Sequence, residues 1–122
     1  MFSNQLILSD YNNINIDFKH YLQSKDSIIW KNCKNLNIII NSKINKLIFQ
    51  NCYNINIHCS GTISGIDIEN SKQFNIQPIP PYEIYYIDCF RSNVTLSLDK
   101  NIINKNLIKI KNQISNIVIR RL

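Results

Sequence analysis

The sequence predicts an all-β protein, a right-handed parallel β-helix of about six coils. Three observations predict it. An Asn-Cys pair recurs, at Asn32-Cys33 and again at Asn51-Cys52. Apolar residues alternate with polar ones on either side of the pair, the period of a strand with one buried face. No stretch carries a helical period.

Laid out on that pair, the 122 residues give six copies: SDYNNINIDF (9–18), KNCKNLNIII (31–40), QNCYNINIHC (50–59), ENSKQFNIQP (69–78), IDCFRSNVTL (87–96) and KNQISNIVIR (111–120). The central spacings are 19, 19 and 18 residues, and the outer ones 22 and 24, with extra residues in YLQSKDS and DKNIINKN. A repeat of this length with two short strands fits one turn of a β-solenoid, in which neighbouring turns bury what none can bury alone. The expected coils are 1–26, 27–45, 46–64, 65–82, 83–106 and 107–122, all in one domain.

Each element follows from its pattern. Ahead of the pair, Ile28 and Trp30, Leu47 and Phe49, Ile66 and Ile68, Ile84 and Tyr86, and Ile108 and Ile110 take the two inward places. After it, Ile14 and Ile16, Leu36 and Ile38, Ile55 and Ile57, and Phe74 and Ile76 do the same. Stiff β-branched side chains suit stacked ladders. The Asn of each pair suits a corner, because Asn tolerates the left-handed backbone region. Cys33, Cys52 and Cys89 share one repeat position, held by Tyr11 and Ser71 in other copies, and the cysteines are expected to form a buried ladder of small apolar fillers. The prolines of IQPIPPYEIYY cannot donate ladder bonds and belong at a corner between the fourth and fifth coils.

The outward places of the first strand are Ile29 and Lys31, Ile48 and Gln50, Asp67 and Glu69, Tyr85 and Ile87, then Lys109 and Lys111. Several are apolar where a solvated face would be polar. Ile29, Lys31, Ile48, Tyr85 and Ile87 are therefore read as a contact face.

Composition narrows the chemistry. The net charge of +6 suits an acidic partner, although the lysines are scattered rather than blocked. Gly61 and Gly65 are the sole glycines, so no glycine-rich phosphate loop exists. His20 and His58 fall at unrelated places, which leaves no zinc site, and Cys59 beside His58 lacks an orienting third group. Asp67 and Glu69 stand two apart on one strand face, without the further acids a sugar-cleaving site would use. Neither an enzyme nor a cofactor is expected. Nucleic acid is set aside as a partner for want of a groove signature. MFSNQLILSD has no basic n-region, and no run approaches a bilayer span, so the expectation is a cytoplasmic protein with free thiols and no membrane contact.

The run IIWKNCKNLNIIINSKINKLIFQNCYNINIHCSGTISGIDIENSKQFNIQ resembles the C-terminal β-helix (CARP) domain of cyclase-associated proteins. The phrases that carry the resemblance are SKINKLIFQNC, SGIDIENSK, PYEIYYIDC, NVTLS and NLIKIKNQISNIVI, spanning residues 27–119. More distantly it is similar to tubulin-folding cofactor C and its retinitis-linked relative. In those families an arginine before the corner activates a GTPase. The matching position here is Ile48, which offers no cation.

The resemblance implies binding to monomeric actin, with preference for the ADP form, and promotion of ADP/ATP exchange without covalent chemistry. It implies contact through Lys43 in SKINK, Lys72 in NSKQ, and Ser97, Asp99 and Lys100 in LSLDK. Relatives continue past the counterpart of IVIRRL into a tail that swaps strands to form a homodimer, a tail this sequence lacks. The alternatives are a tubulin- or small-GTPase-directed module lacking the catalytic arginine, and a structural scaffold.

Overall fold

The computed structural model describes residues 5–18, 26–99 and 108–122. Its strands are β1 (Gln5–Ser9), β2 (Asn12–Phe18), β3 (Ser27–Lys31), β4 (Lys34–Asn41), β5 (Ile44–Gln50), β6 (Tyr53–Glu69), β7 (Lys72–Phe90), β8 (Asn93–Leu98), β9 (Lys109–Gln113) and β10 (Asn116–Arg121). All pairings among them are parallel, and together they wind as a parallel β-helix. β6 and β7 are long because each passes unbroken round a bend from one face to the next. No helix among the described residues is long and apolar enough to cross a membrane.

Two faces of six stacked rungs result. The first stacks β1, β3, β5, the C-terminal parts of β6 and β7, and β9. The second stacks β2, β4, the N-terminal parts of β6 and β7, then β8 and β10. A shorter third side holds the column Ile44, Ile63 and Ile84.

The core is a set of columns, because in-register parallel pairing places like positions one inter-strand step apart, about 4.8 Å. Ile28, Leu47, Ile66 and Ile87 form one column, and Leu36, Ile55, Phe74 and Val94 another. All of these are buried. Aromatic rings run through the middle. Trp30 stacks flat on Phe49 at 4.5 Å, and the edges of Phe18 and Phe74 meet that pair from either side. Such contacts add about 0.5–1.5 kcal/mol each to the burial of the rings. They help offset the cost of the Trp30 indole N–H, which is buried without an acceptor.

The corners behave as asparagine requires. Asp10, Asn32, Asn51, Asn70, Arg91 and Ile114 all have φ between 48° and 62°, one per rung. A second left-handed corner follows at Asn13, Asn35, Asn54 and Gln73. Between the corners lies the small-residue ladder, in which the side chains of Cys33, Cys52, Ser71, Ser92 and Ser115 each reach back to the carbonyl two residues earlier. Ser71, Ser92 and Ser115 also accept, through Oγ, the backbone N–H of the corresponding residue one rung before. Outside it, asparagine amides donate from rung to rung: Asn35 to Asn12 at 3.0 Å, Asn54 to Asn35 at 2.8 Å and Asn37 to Asn15 at 3.0 Å.

The fifth and sixth coils correct the expected register. Cys89 is not a corner residue. It is buried on the first face, paired with Ile68, and the corner is Arg91-Ser92. The sixth corner is likewise Ile114-Ser115 rather than Asn112-Gln113. The fifth-coil difference comes from the proline segment: Cys59 pairs with Pro78 but Gly61 with Tyr82, so three residues of β7 stand opposite Ser60. Ile84 therefore belongs to the third side, and Tyr86 pairs with Gly65 rather than with an inward residue. Ile110, paired with Ile87, takes the first inward place of the last rung, not Ile108.

Candidate functional site

The first face gathers the side chains best placed for a contact. Its outward columns read across the rungs as Ile7, Ile29, Ile48, Asp67, Asp88, Lys111; as Ser9, Lys31, Gln50, Glu69, Phe90, Gln113; and as Gln5, Ser27, Lys46, Gly65, Tyr86, Lys109. Strand alternation supplies the first two columns, since every second residue must point away from the core. Lys46, Gly65 and Tyr86 stand where the third side bends into the first.

Two depressions share the carboxylates Asp67 and Asp88. One, of about 480 Å³, lies among Ile48, Gln50, Asp67, Glu69, Asp88 and Phe90. The other, of about 470 Å³, lies among Lys46, Asp67, Tyr86, Asp88, Lys109 and Lys111. Lys46 Nζ comes within 3.9 Å of Asp67 Oδ2. A hydrogen bond to Tyr86, then the charges of Tyr86 and Asp67, raise the Lys46 ammonium above its ordinary value. Nζ lies 5.9 Å from the Tyr86 ring centroid, so the ring face adds little to these polar contacts. Burial raises the Asp67 carboxyl above its usual range; Asp88 and Glu69 add to this and Lys46 opposes it. Gln113 Nε2 donates to Asp88 Oδ1 at 3.1 Å.

Gly65 makes this arrangement achievable. The Tyr86 ring lies directly on its backbone, and any Cβ there would run into the ring carbons and hydroxyl. The missing side chain is what lets Tyr86 lie down and reach Lys46.

The sequence-derived contact residues are divided by the structure. Ile29 and Ile48 are half-buried and Lys31 is exposed, all on the first face as expected. Tyr85 is 54% exposed, with its hydroxyl donating to Glu83 Oε2 at 3.0 Å. Ile87 is a correction: at 2% exposure it lies in the core, and Asp88 takes the outward place. Lys43 is exposed where the chain turns between β4 and β5, and Lys72 is exposed at the start of β7. Ser97 is buried and donates to Asn75 Oδ1 at 3.0 Å, so its hydroxyl is engaged within the fold. Asp99 lines a separate depression with Pro78, Ile79 and Leu122, and Lys100 lies outside the described residues.

Sequence reasoning missed Asp88, Tyr86 and Phe90 on the first face. A signal was present: Ser-Asn-Val-Thr-Leu (92–96) and Ser-Asn-Ile-Val-Ile (115–119) repeat one another and mark the true fifth and sixth corners. Burial pushes Cys59 up to about 12 and Cys52 and Cys89 up to about 11. Among the described residues no three His, Cys, Asp or Glu converge to hold a metal.

The fold and the face together define the class to which the chain belongs, a parallel β-solenoid that carries a shallow, mixed-charge strand face. The family described as adenylate cyclase associated (CAP) C terminal matches residues 3–121, nearly the whole chain, and the chain belongs to that family. Among solved structures, the cyclase-associated protein from Cryptosporidium parvum is similar in fold, with a TM-score of 0.62 at 21% identity. The similarity covers 92% of this chain and 59% of that one. No curated protein matches the chain.

Proposed function

We propose that this chain binds monomeric actin in the cytoplasm and speeds the exchange of its bound ADP for ATP, acting by binding alone and not as an enzyme. The observation that carries the reading is family membership over residues 3–121. The first face supports it physically. It is broad, mixes apolar, polar and charged side chains, and is built on strands that fix those side chains before contact, which lowers the ordering cost of binding. Exchange then follows from differential affinity: a partner that binds better to the nucleotide-released conformation shifts the population toward it. The net charge of +6 suits an acidic partner and a fast encounter.

The test is release of a fluorescent nucleotide from monomeric actin with the protein in excess, together with direct binding to ADP-actin. Accelerated release, blunted by Lys111→Glu on the first face and unaffected by Lys43→Glu, is the expected result. An unchanged release rate together with no binding to ADP-actin would sink the proposal.

A further inference from the structure

The edge where the first face turns into the second carries a column of its own. Lys34, Tyr53 and Lys72 open β4, β6 and β7 and pair in register on consecutive rungs. They stand between two left-handed corners, with Asn32, Asn51 and Asn70 before them and Asn35, Asn54 and Gln73 after. Cys33, Cys52 and Ser71 take the buried place just ahead, so the next side chain points away from the core. Lys34 and Lys72 are exposed, and Tyr53, 46% exposed, stands between them. None of the three side chains has a hydrogen bond or ion pair with another described residue, so no internal contact has to break before they meet a ligand.

Charge on this edge is of one sign. Along residues 31–35, 50–54, 69–73 and 90–93 it carries Lys31, Lys34, Lys72 and Arg91 against one carboxylate, Glu69, which lines the first-face depression. The complement is an acidic partner. Spacing selects the form of that partner. Lys34 and Lys72 are two inter-strand steps apart, about 9.6 Å. A polyproline II helix brings every third residue to the same side, about 9.3 Å along its axis. An extended strand repeats a side at about 6.7 Å, and an α-helix at about 5.4 and 10.8 Å, so neither fits as closely. The aromatic ring between the lysines suits the prolines that would separate such carboxylates. A polyproline II backbone also leaves its carbonyls free, and the exposed Asn51 and Asn70 amides beside Tyr53 are donors for them.

We propose that the Lys34, Tyr53 and Lys72 edge binds an acidic, proline-rich segment of a partner protein in the polyproline II conformation. Carboxylates three residues apart seat on the two lysines, and a proline between them packs on Tyr53. The segment arrives already extended, so little chain entropy is lost on docking. This surface is separate from the first face, and the inference does not rest on actin binding.

The test is fluorescence anisotropy of a labelled Asp-Pro-Pro-Asp-Pro-Pro-Asp peptide titrated with the full chain. The expected result is saturable, salt-sensitive binding, weakened several-fold by Lys34→Glu, by Lys72→Glu and by Tyr53→Ser, and unchanged by Lys111→Glu on the first face. All three edge side chains are exposed, and far-UV circular dichroism checks that each variant keeps its β signal. Lys34→Gln replaces Lys34→Glu where that signal is lost. An Asp-Pro-Asp-Pro-Asp-Pro-Asp peptide, with one more carboxylate but a different spacing, should bind more weakly. Equal or tighter binding of that second peptide would mean that bare charge holds it, and overturns the proposal. So does an absence of saturable binding, or a loss with Lys111→Glu that matches the loss with Lys34→Glu. Tighter binding of oligothymidylate than of either peptide overturns it as well, since the edge would then be a nucleic-acid surface.

Discussion

Exchanging the residues at two equivalent corners tests whether the left-handed backbone, rather than side-chain contact, selects asparagine there. Ile114 has φ 54° and is 79% exposed, so it is a β-branched residue in a region it disfavours with almost no burial in return. Asn51 occupies the same corner three rungs earlier, with φ 55° and an exposed side chain. The left-handed region costs an ordinary L-residue about 1–2 kcal/mol, and asparagine less. Ile114→Asn should therefore stabilise by about 1 kcal/mol, and Asn51→Ile should destabilise by about 1–2 kcal/mol. In a chain of this size each kcal/mol moves the melting midpoint by roughly 3–5 °C.

The assay is urea and thermal unfolding followed by far-UV circular dichroism, with an unchanged denaturant slope as the check that both variants unfold the same way. Hydrogen exchange at Ser92 and Asn116, whose N–H groups tie the last rung to the fifth, shows whether that rung opens with the rest. If both substitutions leave the midpoint unmoved while those amides stay protected to the global limit, the backbone argument is wrong.

Three further outcomes follow from the site. Gly65→Ala should displace Tyr86 and release Lys46 from it, destabilising by about 1–3 kcal/mol as other overpacked sites do, and should weaken actin binding measured by titration. Because the Asp67 carboxyl is raised on folding, mainly by burial, its ionisation opposes the folded state above that raised value, and the penalty fades as pH falls toward the unfolded value. Asp67→Asn should thus be more stable than wild type at pH 7, with the gap narrowing in acid, a profile read from urea midpoints across pH. The four free cysteines are buried, and those pushed up to about 11 or 12 remain thiols at neutral pH, so a disulfide reagent should label the native protein slowly and all four once it is unfolded.

The fold was legible because its signal is parity and repetition. Ile14 and Ile16, Leu36 and Ile38, Ile55 and Ile57, and Phe74 with Ile76 all stand in the columns their alternation implies. The spacing that matters most for the face is the one before the fifth corner. Reading Asp88-Cys89 as a corner sets it 18 residues after Asn70, whereas the structural corner at Arg91 is 21 residues on. The two differ by three, an odd number, and an odd slip turns every side chain to the opposite face. Ile87 was thereby placed outside and Asp88 lost from the surface. The sixth corner was displaced from 112 to 114, an even step, so Lys109 and Lys111 kept their outward places. The site was less legible than the fold because outward residues face no core that would enforce a pattern. Only the register of neighbouring rungs brings Asp67, Asp88 and Lys111 into line.

That line has a direction. From the first rung to the last, the central column of the first face passes from Ile7, Ile29 and Ile48 through Asp67 and Asp88 to Lys111. Apolar, acidic and basic residues thus follow one another along the solenoid axis at single inter-strand steps. A partner laid along this face meets a different chemistry at each end, and reversing it would set its own charges against like charges, which costs several kcal/mol in a desolvated contact. The proline segment fixes this order. Without its extra residues, a 19-residue spacing from Asn70 would bring the corner to Cys89, and Tyr86, rather than Asp88, would stand on Asp67. The irregular bend that obscures the repeat in the sequence is therefore also what aligns the acidic pair with the lysines beyond it, and gives the face its single orientation.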